Sequence, residues 1–168
     1  MGKGQHYLSS SRAGDLVLGG WHLGGKFTAR SGFYFSPLMG YDPSNTGSIG
    51  LVRTDRTCNG NLPSGQQSPD LWFNTNCFPL PTTYAFGDSG KNVLIGPGGV
   101  SGDFALRKIF NITERQNVEF RVELFNAFNH PVFAQPDNYI TDGPGATGVI
   151  TSTVLPQREM QFGLKLHF

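Results

Sequence analysis

The sequence predicts an all-β chain: an antiparallel meander of about four strands, joined by one short turn and two long irregular loops. Three observations predict it. Apolar and polar residues alternate with period two along several segments, while helical spacing is absent almost everywhere. Gly at 23 and Pro at 11 make up about a fifth of the 168 residues, which is turn-rich without a collagen period. Charged residues are only 15% while Phe alone supplies 14 positions, and with much Gly this composition suits short strands joined by irregular loops.

The clearest alternation is the strand at about 159–168. Met160, Phe162, Leu164, Leu166 and Phe168 fall on one face, and Gln161, Gly163, Lys165 and His167 on the other. A strand with one apolar and one polar face lies between an oily and a wet environment. The strand at about 117–128 has the same code, with Val118, Phe120, Val122 and Leu124 against Asn117, Glu119, Arg121 and Glu123. A third, at about 103–112, is joined to it by the short polar connection Thr113-Glu114-Arg115-Gln116. Its pattern is less clean, because Lys108 shares a face with Phe104, Leu106 and Phe110; near a membrane interface its stem would lie along lipid while the ammonium reaches water. A fourth strand, about 16–29, puts Trp21, Leu23, Gly25, Phe27 and Ala29 on one face and His22, Lys26 and Thr28 on the other.

No run of about 18 apolar residues exists, which excludes a transmembrane helix but not membrane strands. Each predicted strand is long enough for the roughly 9–11 residues that a tilted strand needs to cross a bilayer core. The loops 31–102 and 130–158 are long and rich in Gly, Pro, Ser and Asn, whereas residues 113–116 make a short turn. Short turns on one side and long loops on the other are a feature of outer-membrane barrels. A soluble antiparallel sandwich also alternates. Loop asymmetry and the intact apolar stripe that ends the chain favour the barrel, which closes by pairing its last strand with its first. The N-terminal residues Met1–Leu8 lack the apolar core of a signal peptide, so an export signal is expected upstream. With room for only about four strands, the chain reads as a C-terminal fragment of a transmembrane β-barrel. Its net charge of +1 gives no reason to expect nucleic acid as a partner.

Several stretches resemble a known family. They are Gly19-Gly20-Trp21-His22-Leu23-Gly24-Gly25-Lys26-Phe27-Thr28-Ala29-Arg30-Ser31-Gly32, the segment from Ile112 through Leu124-Phe125-Asn126-Ala127-Phe128-Asn129-His130-Pro131, and the closing Arg158–Phe168. With Asp42-Pro43-Ser44-Asn45-Thr46-Gly47 and Gly60-Asn61-Leu62-Pro63-Ser64-Gly65 they resemble the C-terminal end of TonB-dependent receptors of the Oar-like type, which often carry a carboxypeptidase-regulatory-like domain. The resemblance covers nearly all of residues 1–168 and implies one segment of a 22-stranded barrel in the bacterial outer membrane, closed by an N-terminal plug. The partners it implies are outer-membrane lipid, the remainder of the barrel and plug, the barrel assembly machinery, and TonB through the missing N-terminal part. Met160, Phe162, Leu164, Leu166 and Phe168 match the closing strand that the assembly machinery reads. Glu119, Arg121, Glu123 and Lys165 are candidates for the lumen-facing side, as a ladder of weak ion pairs. The plug and the TonB-contacting box have no counterpart here, so transport is expected of the whole receptor and not of this piece alone.

Other motifs have plainer readings. Gly87-Asp88-Ser89-Gly90 carries the letters around a chymotrypsin-type nucleophile, but Lys91 follows where that family has Gly, and a triad needs a complete scaffold. A Gly-rich turn is expected instead. Gly90-Lys91 is no phosphate loop, since Asn92 replaces Ser/Thr and Ala85 stands at the first Gly position. Cys58 and Cys77 fit one disulfide in an oxidising compartment or two thiols in a reducing one; in a loop placed outside the cell they are expected to bond to each other. His6, His22, His130 and His167 are scattered, so a metal site is not expected. Asp42, Asn45 and Asp55 suggest a weak calcium site, against which an Asx-type turn at Asp42–Asn45 is favoured. Trp72, Phe73 and Phe78 either contact a ligand or pack their own loop. No catalysis and no cofactor are expected. The reading from another class is a secreted β-sandwich that binds glycans through these loop aromatics.

Overall fold

The computed structural model describes residues 14, 17–47 and 52–168. Its strands follow in chain order as β1 (Trp21–Arg30), β2 (Tyr34–Phe35), β3 (Leu38–Met39), β4 (Val52–Arg53), β5 (Leu94–Ile95), β6 (Gly99–Asn111), β7 (Asn117–Phe125) and β8 (Glu159–His167). β1, β6, β7 and β8 form one four-stranded sheet in that order, while β2 pairs with β5 and β3 with β4. The four long strands are those the alternation predicts, as a meander in chain order.

Register follows from the turn and the pattern. β6 and β7 pair antiparallel from Phe104 opposite Leu124 to Asn111 opposite Asn117. β7 and β8 pair antiparallel from Asn117 opposite His167 to Phe125 opposite Glu159. In β1 and β6, the Ile109 N–H donates to the Gly20 carbonyl at 3.0 Å, and Gly25 lies against Phe104. The paired residue numbers add to 129 in both places, as they do only in an antiparallel pair. Every apolar stripe therefore lies on the same face of the sheet.

Three boundaries differ from the sequence reading by three residues or more. β6 begins at Gly99 rather than near Asp103, taking in four residues assigned to the long loop. At the other two the backbone turns left-handed. β1 begins at Trp21 rather than near Leu16, because Gly20 takes φ +71, which glycine adopts freely and other residues resist. Val17 and Leu18 are not extended, and Leu16 lies outside the described residues. β7 stops at Phe125 rather than Phe128, because Asn126 takes φ +46, a region that Asn tolerates better than most side chains.

The chain divides into two compact units, Met1–Thr28 with Val100–His130 and Pro156–Phe168, and Ala29–Gly99 with Pro131–Leu155. The first contains most of the sheet and its short turn. The second is made of the two long connections, which the sequence presents as separate irregular loops. They fold together. The Leu38 N–H donates to the Asn138 carbonyl at 2.9 Å, Trp72 N–H to Gly148 at 2.9 Å, and Ile150 N–H to Pro69 at 2.7 Å. Phe35, Phe73, Cys77, Phe78 and Leu94 form its core, with Phe73 edge-to-face against both Phe35 and Phe78. Cys58 and Cys77 are joined by a disulfide across a separation of 19 residues. A closure of this length stabilises by about 3 kcal/mol in the chain-entropy account. Arg56 fixes the exposed end of that bridge, donating from Nε to the Cys58 carbonyl at 2.7 Å.

The second unit also contains a site of tight backbone approach. A methyl at Gly87 would overlap the carbonyl oxygens of Arg53 and Thr54, whereas at Gly65 it would meet nothing within 4 Å. Gly87→Ala should therefore destabilise this unit by about 1–3 kcal/mol, and Gly65→Ala should stay within about 0.5 kcal/mol. Urea midpoints of the two variants, followed by tryptophan fluorescence, check the difference.

Candidate functional site

The register turns the stripes into rows. Phe104, Leu124 and Met160 form one row; Leu106, Val122 and Phe162 the next; then Lys108, Phe120 and Leu164; then Phe110, Val118 and Leu166. β1 adds Leu23 beside Leu106 and Trp21 beside Lys108, by the same 129 rule. This face is open: Leu23 is 77%, Phe162 69% and Leu164 76% exposed. From the row of Phe27 and Gly102 to that of Ile112 is about 34 Å of strand at roughly 3.4 Å per residue. Tilted by about 40°, that gives roughly 25 Å of height, the height of the lipid-facing band of an outer-membrane barrel.

Aromatic rings mark one end of the band. Phe128 folds back over Gly102, where any side chain would collide with its ring, and meets Phe27 at 6.2 Å and Phe104 at 6.1 Å, both edge-to-face. At Lys108 the structure corrects the sequence reading. Its ammonium does not reach water; the residue is only 4% exposed. The ammonium donates to the carbonyls of Val17 at 3.0 Å and Gly19 at 2.8 Å. It also lies 4.5 Å from the centre of the Trp21 ring and 5.0 Å from that of Phe110.

The opposite face carries charge. Arg107 pairs with Glu119 across strands at 3.7 Å, and Arg121 with Glu123 along its own strand at 2.7 Å. Lys165 is the register partner of Glu119, and Gly163 that of Arg121. The ladder is thus partly cross-strand and partly within β7. Sequence reasoning missed Arg107, because Lys108 beside it blurs the alternation of β6. Antiparallel partners Arg107 and Arg121 would repel, and the two glutamates offset that. Each partly exposed pair is worth about 0.2–1 kcal/mol.

Where β7 ends, two asparagines close the base of the loop that follows. Asn126 is buried, and its amide donates to the carbonyls of His130 at 3.3 Å and Pro156 at 3.0 Å while its oxygen accepts from the His130 N–H. Its backbone N–H donates to the Asp103 carboxylate at 3.0 Å. Asn129, at φ +50, accepts from the Arg158 N–H at 3.0 Å. The segment Asn126–Pro131 is a clamp between the end of β7 and the approach to β8.

The remaining candidates have local roles. Ser89 is buried, with its N–H on the Thr54 carbonyl at 2.9 Å and its hydroxyl directed at the Gly90 carbonyl at 3.4 Å. The Asp42 carboxylate accepts from Ser44 and from Thr46 of its own loop, the Asx-type turn that was expected. Asp55 accepts from the Asp88 N–H at 3.2 Å, and Asp88 in turn from the Arg56 N–H at 2.9 Å. Phe73 and Phe78 are buried in the core, and the Trp72 indole donates to the Ile95 carbonyl at 2.9 Å, so these aromatics pack their own unit. Among the described residues no group of three or more His, Cys, Asp and Glu converges; His6 lies outside them.

Residues 1–161 match the family described as outer membrane beta barrel domain. The chain belongs to that family. No curated protein and no solved structure matches it. As an outer membrane β-barrel chain, it is a protein of the bacterial outer membrane. No helix among its described residues is long and apolar enough to cross a membrane; in this family strands make the crossing.

Two outcomes are expected of this barrel chain. Asn126→Ala, which removes three hydrogen bonds of a buried amide and forces Ala into a left-handed turn, should cost about 2–4 kcal/mol. Asn126→Gly, free of the strain, should cost about 1–2 kcal/mol less, and urea titration of protein folded in lipid vesicles measures both. On the sheet, Leu164→Arg should cost about 2–4 kcal/mol and Lys165→Arg almost nothing. The same titration decides it, and equal tolerance of the two faces would refute the assignment of the apolar face to lipid.

Proposed function

We propose that this chain forms the C-terminal wall of an Oar-like TonB-dependent receptor, which takes up a solute across the outer membrane. The observation that carries the reading is the inverted burial of the sheet. Among the described residues of the first unit, Lys108 and Asn126 are buried, while Leu23, Phe27, Phe162 and Leu164 are exposed. In water such a face would invite aggregation; against hydrocarbon it is the stable arrangement. The charged face, with Glu119, Arg121, Glu123 and Lys165 joined by Arg107, then lines the interior, where a plug and a passing solute meet it.

The TonB-dependent assignment rests on the resemblance of residues 19–32, 112–131 and 158–168 to that family. In this reading β1 and β8 are completed by further strands of the receptor, since hydrocarbon does not hydrogen-bond an open sheet edge. The stripe Met160, Phe162, Leu164, Leu166 and Phe168 is the segment offered to the barrel assembly machinery, and TonB acts through the plug. The chain is a wall and a loop unit rather than an enzyme, and it takes neither cofactor nor nucleic acid.

Photo-crosslinking side chains placed at Glu119 and at Leu164 of the receptor in native outer membranes test this. Position 164 should give lipid adducts, and position 119 should give adducts with peptides of a plug domain. Lipid adducts at both positions, or at neither, would overturn the proposal.

A further inference from the structure

A lysine on the lipid-facing side of a barrel ordinarily lies near a rim, where its ammonium reaches water. Lys108 does not. It shares its row with Phe120 and Leu164. That row is four residues along β6 from the Ile112 end of the band and six from the Gly102 end, close to mid-height. A bare cation at the bilayer midplane of a barrel costs about 2–4 kcal/mol.

The structure surrounds the ammonium with substitutes for water. The carbonyls of Val17 and Gly19 accept from it, at 3.0 and 2.8 Å. The rings of Trp21 and Phe110 supply two cation–π faces. Val17 also accepts from the Trp21 indole N–H at 2.9 Å, which holds that ring in place. Both carbonyls belong to the stretch just before β1, where the chain leaves the extended path at Gly19–Gly20 and its backbone groups no longer follow the ladder. Backbone carbonyls at a lipid face are costly unless bonded. The lysine and the carbonyls thus remove each other's penalty.

We propose that Lys108 is a lipid-embedded lysine that positions the entry of β1, its charge enclosed by Val17, Gly19, Trp21 and Phe110 instead of by water. The inference rests on the reading of the apolar face as a lipid wall. In this role a cationic donor is what matters, so an arginine able to reach the same carbonyls and rings serves in its place.

The test uses the receptor in native outer membranes, treated with a water-soluble amine-acylating reagent and, separately, with a carbene probe dissolved in the lipid. Leu164 should carry the lipid probe, Lys91 should be acylated, and Lys108 should be acylated at least tenfold more slowly than Lys91. Lys108→Met should reduce the fraction of heat-modifiable, assembled protein severalfold, and Lys108→Arg should restore it. If Lys108 is acylated as fast as Lys91 while Leu164 still carries the lipid probe, the ammonium is in water and this inference fails, with the wall intact. Equal assembly of the Met and Arg variants would likewise remove its positioning role. Should Leu164 escape the lipid probe, the wall reading itself fails and the inference with it.

Discussion

A strand in hydrocarbon has no water to bond its N–H and C=O groups, so each must find a partner in a neighbouring strand. That constraint orders the first unit of this chain. The ladders run without a break from Phe104 to Asn111 in β6 and from Asn117 to Phe125 in β7. Difficulty arises only where the chain leaves the ladder, and polar side chains are found bonded there. Asn126 and Asn129 satisfy backbone groups of His130, Pro156 and Arg158 at one end of β7. Lys108 bonds the carbonyls before β1. The buried polar residues of the sheet are a consequence of ending strands, not of building a site.

The two units answer the hydrophobic effect in opposite ways. The second has an ordinary interior, with Phe35, Phe73, Phe78 and Leu94 buried around a disulfide. A small unit made of two separate segments buries little surface relative to its length, and a covalent link offsets part of its chain entropy. The first unit has no comparable interior among its described residues. Its stripe of Met160, Phe162, Leu164 and Leu166 acquires cover only from lipid. One chain therefore has two solvents, and the disulfide belongs to the unit that folds like a soluble protein.

What was legible in the sequence follows from the range of the forces involved. Period-two alternation is local, so β8 and the start of β7 could be read almost to the residue, and the turn at Thr113–Gln116 fixed their order with β6. The ends of strands were less legible, because a left-handed residue such as Gly20 or Asn126 interrupts a strand without altering its alternation. Resemblance drew attention to Asn126–Pro131, but only coordinates give its hydrogen bonds. The disulfide Cys58–Cys77 and the Asx-type turn at Asp42 were legible within one connection, but the association of the two long connections was not. Its contacts join Leu38 to Asn138, Pro69 to Ile150 and Trp72 to Gly148, and no local pattern announces pairs so distant in sequence. The ion pair of Arg107 and the enclosure of Lys108 were missed for a related reason: their partners, Glu119 and the carbonyls of Val17 and Gly19, are set by strand pairing and not by local pattern.

The charged face of the sheet carries both signs in nearly equal number. By register and alternation its ionisable residues are Lys26, Arg30, Arg107, Arg121 and Lys165 against Asp103, Glu119, Glu123 and Glu159, histidines aside. The signs nearly balance. A wall lined with one sign of charge would draw in solutes of the other over a distance of several ångströms or more. A nearly balanced wall does so only weakly; most of its field decays within about the span of a pair, all the more so in salt. The ion pairs Arg107–Glu119 and Arg121–Glu123 hold long side chains in place rather than leaving them to reach into the interior. This part of the sheet therefore presents a near-neutral, hydrogen-bonding surface, whose contacts act at short range rather than through a long-range field.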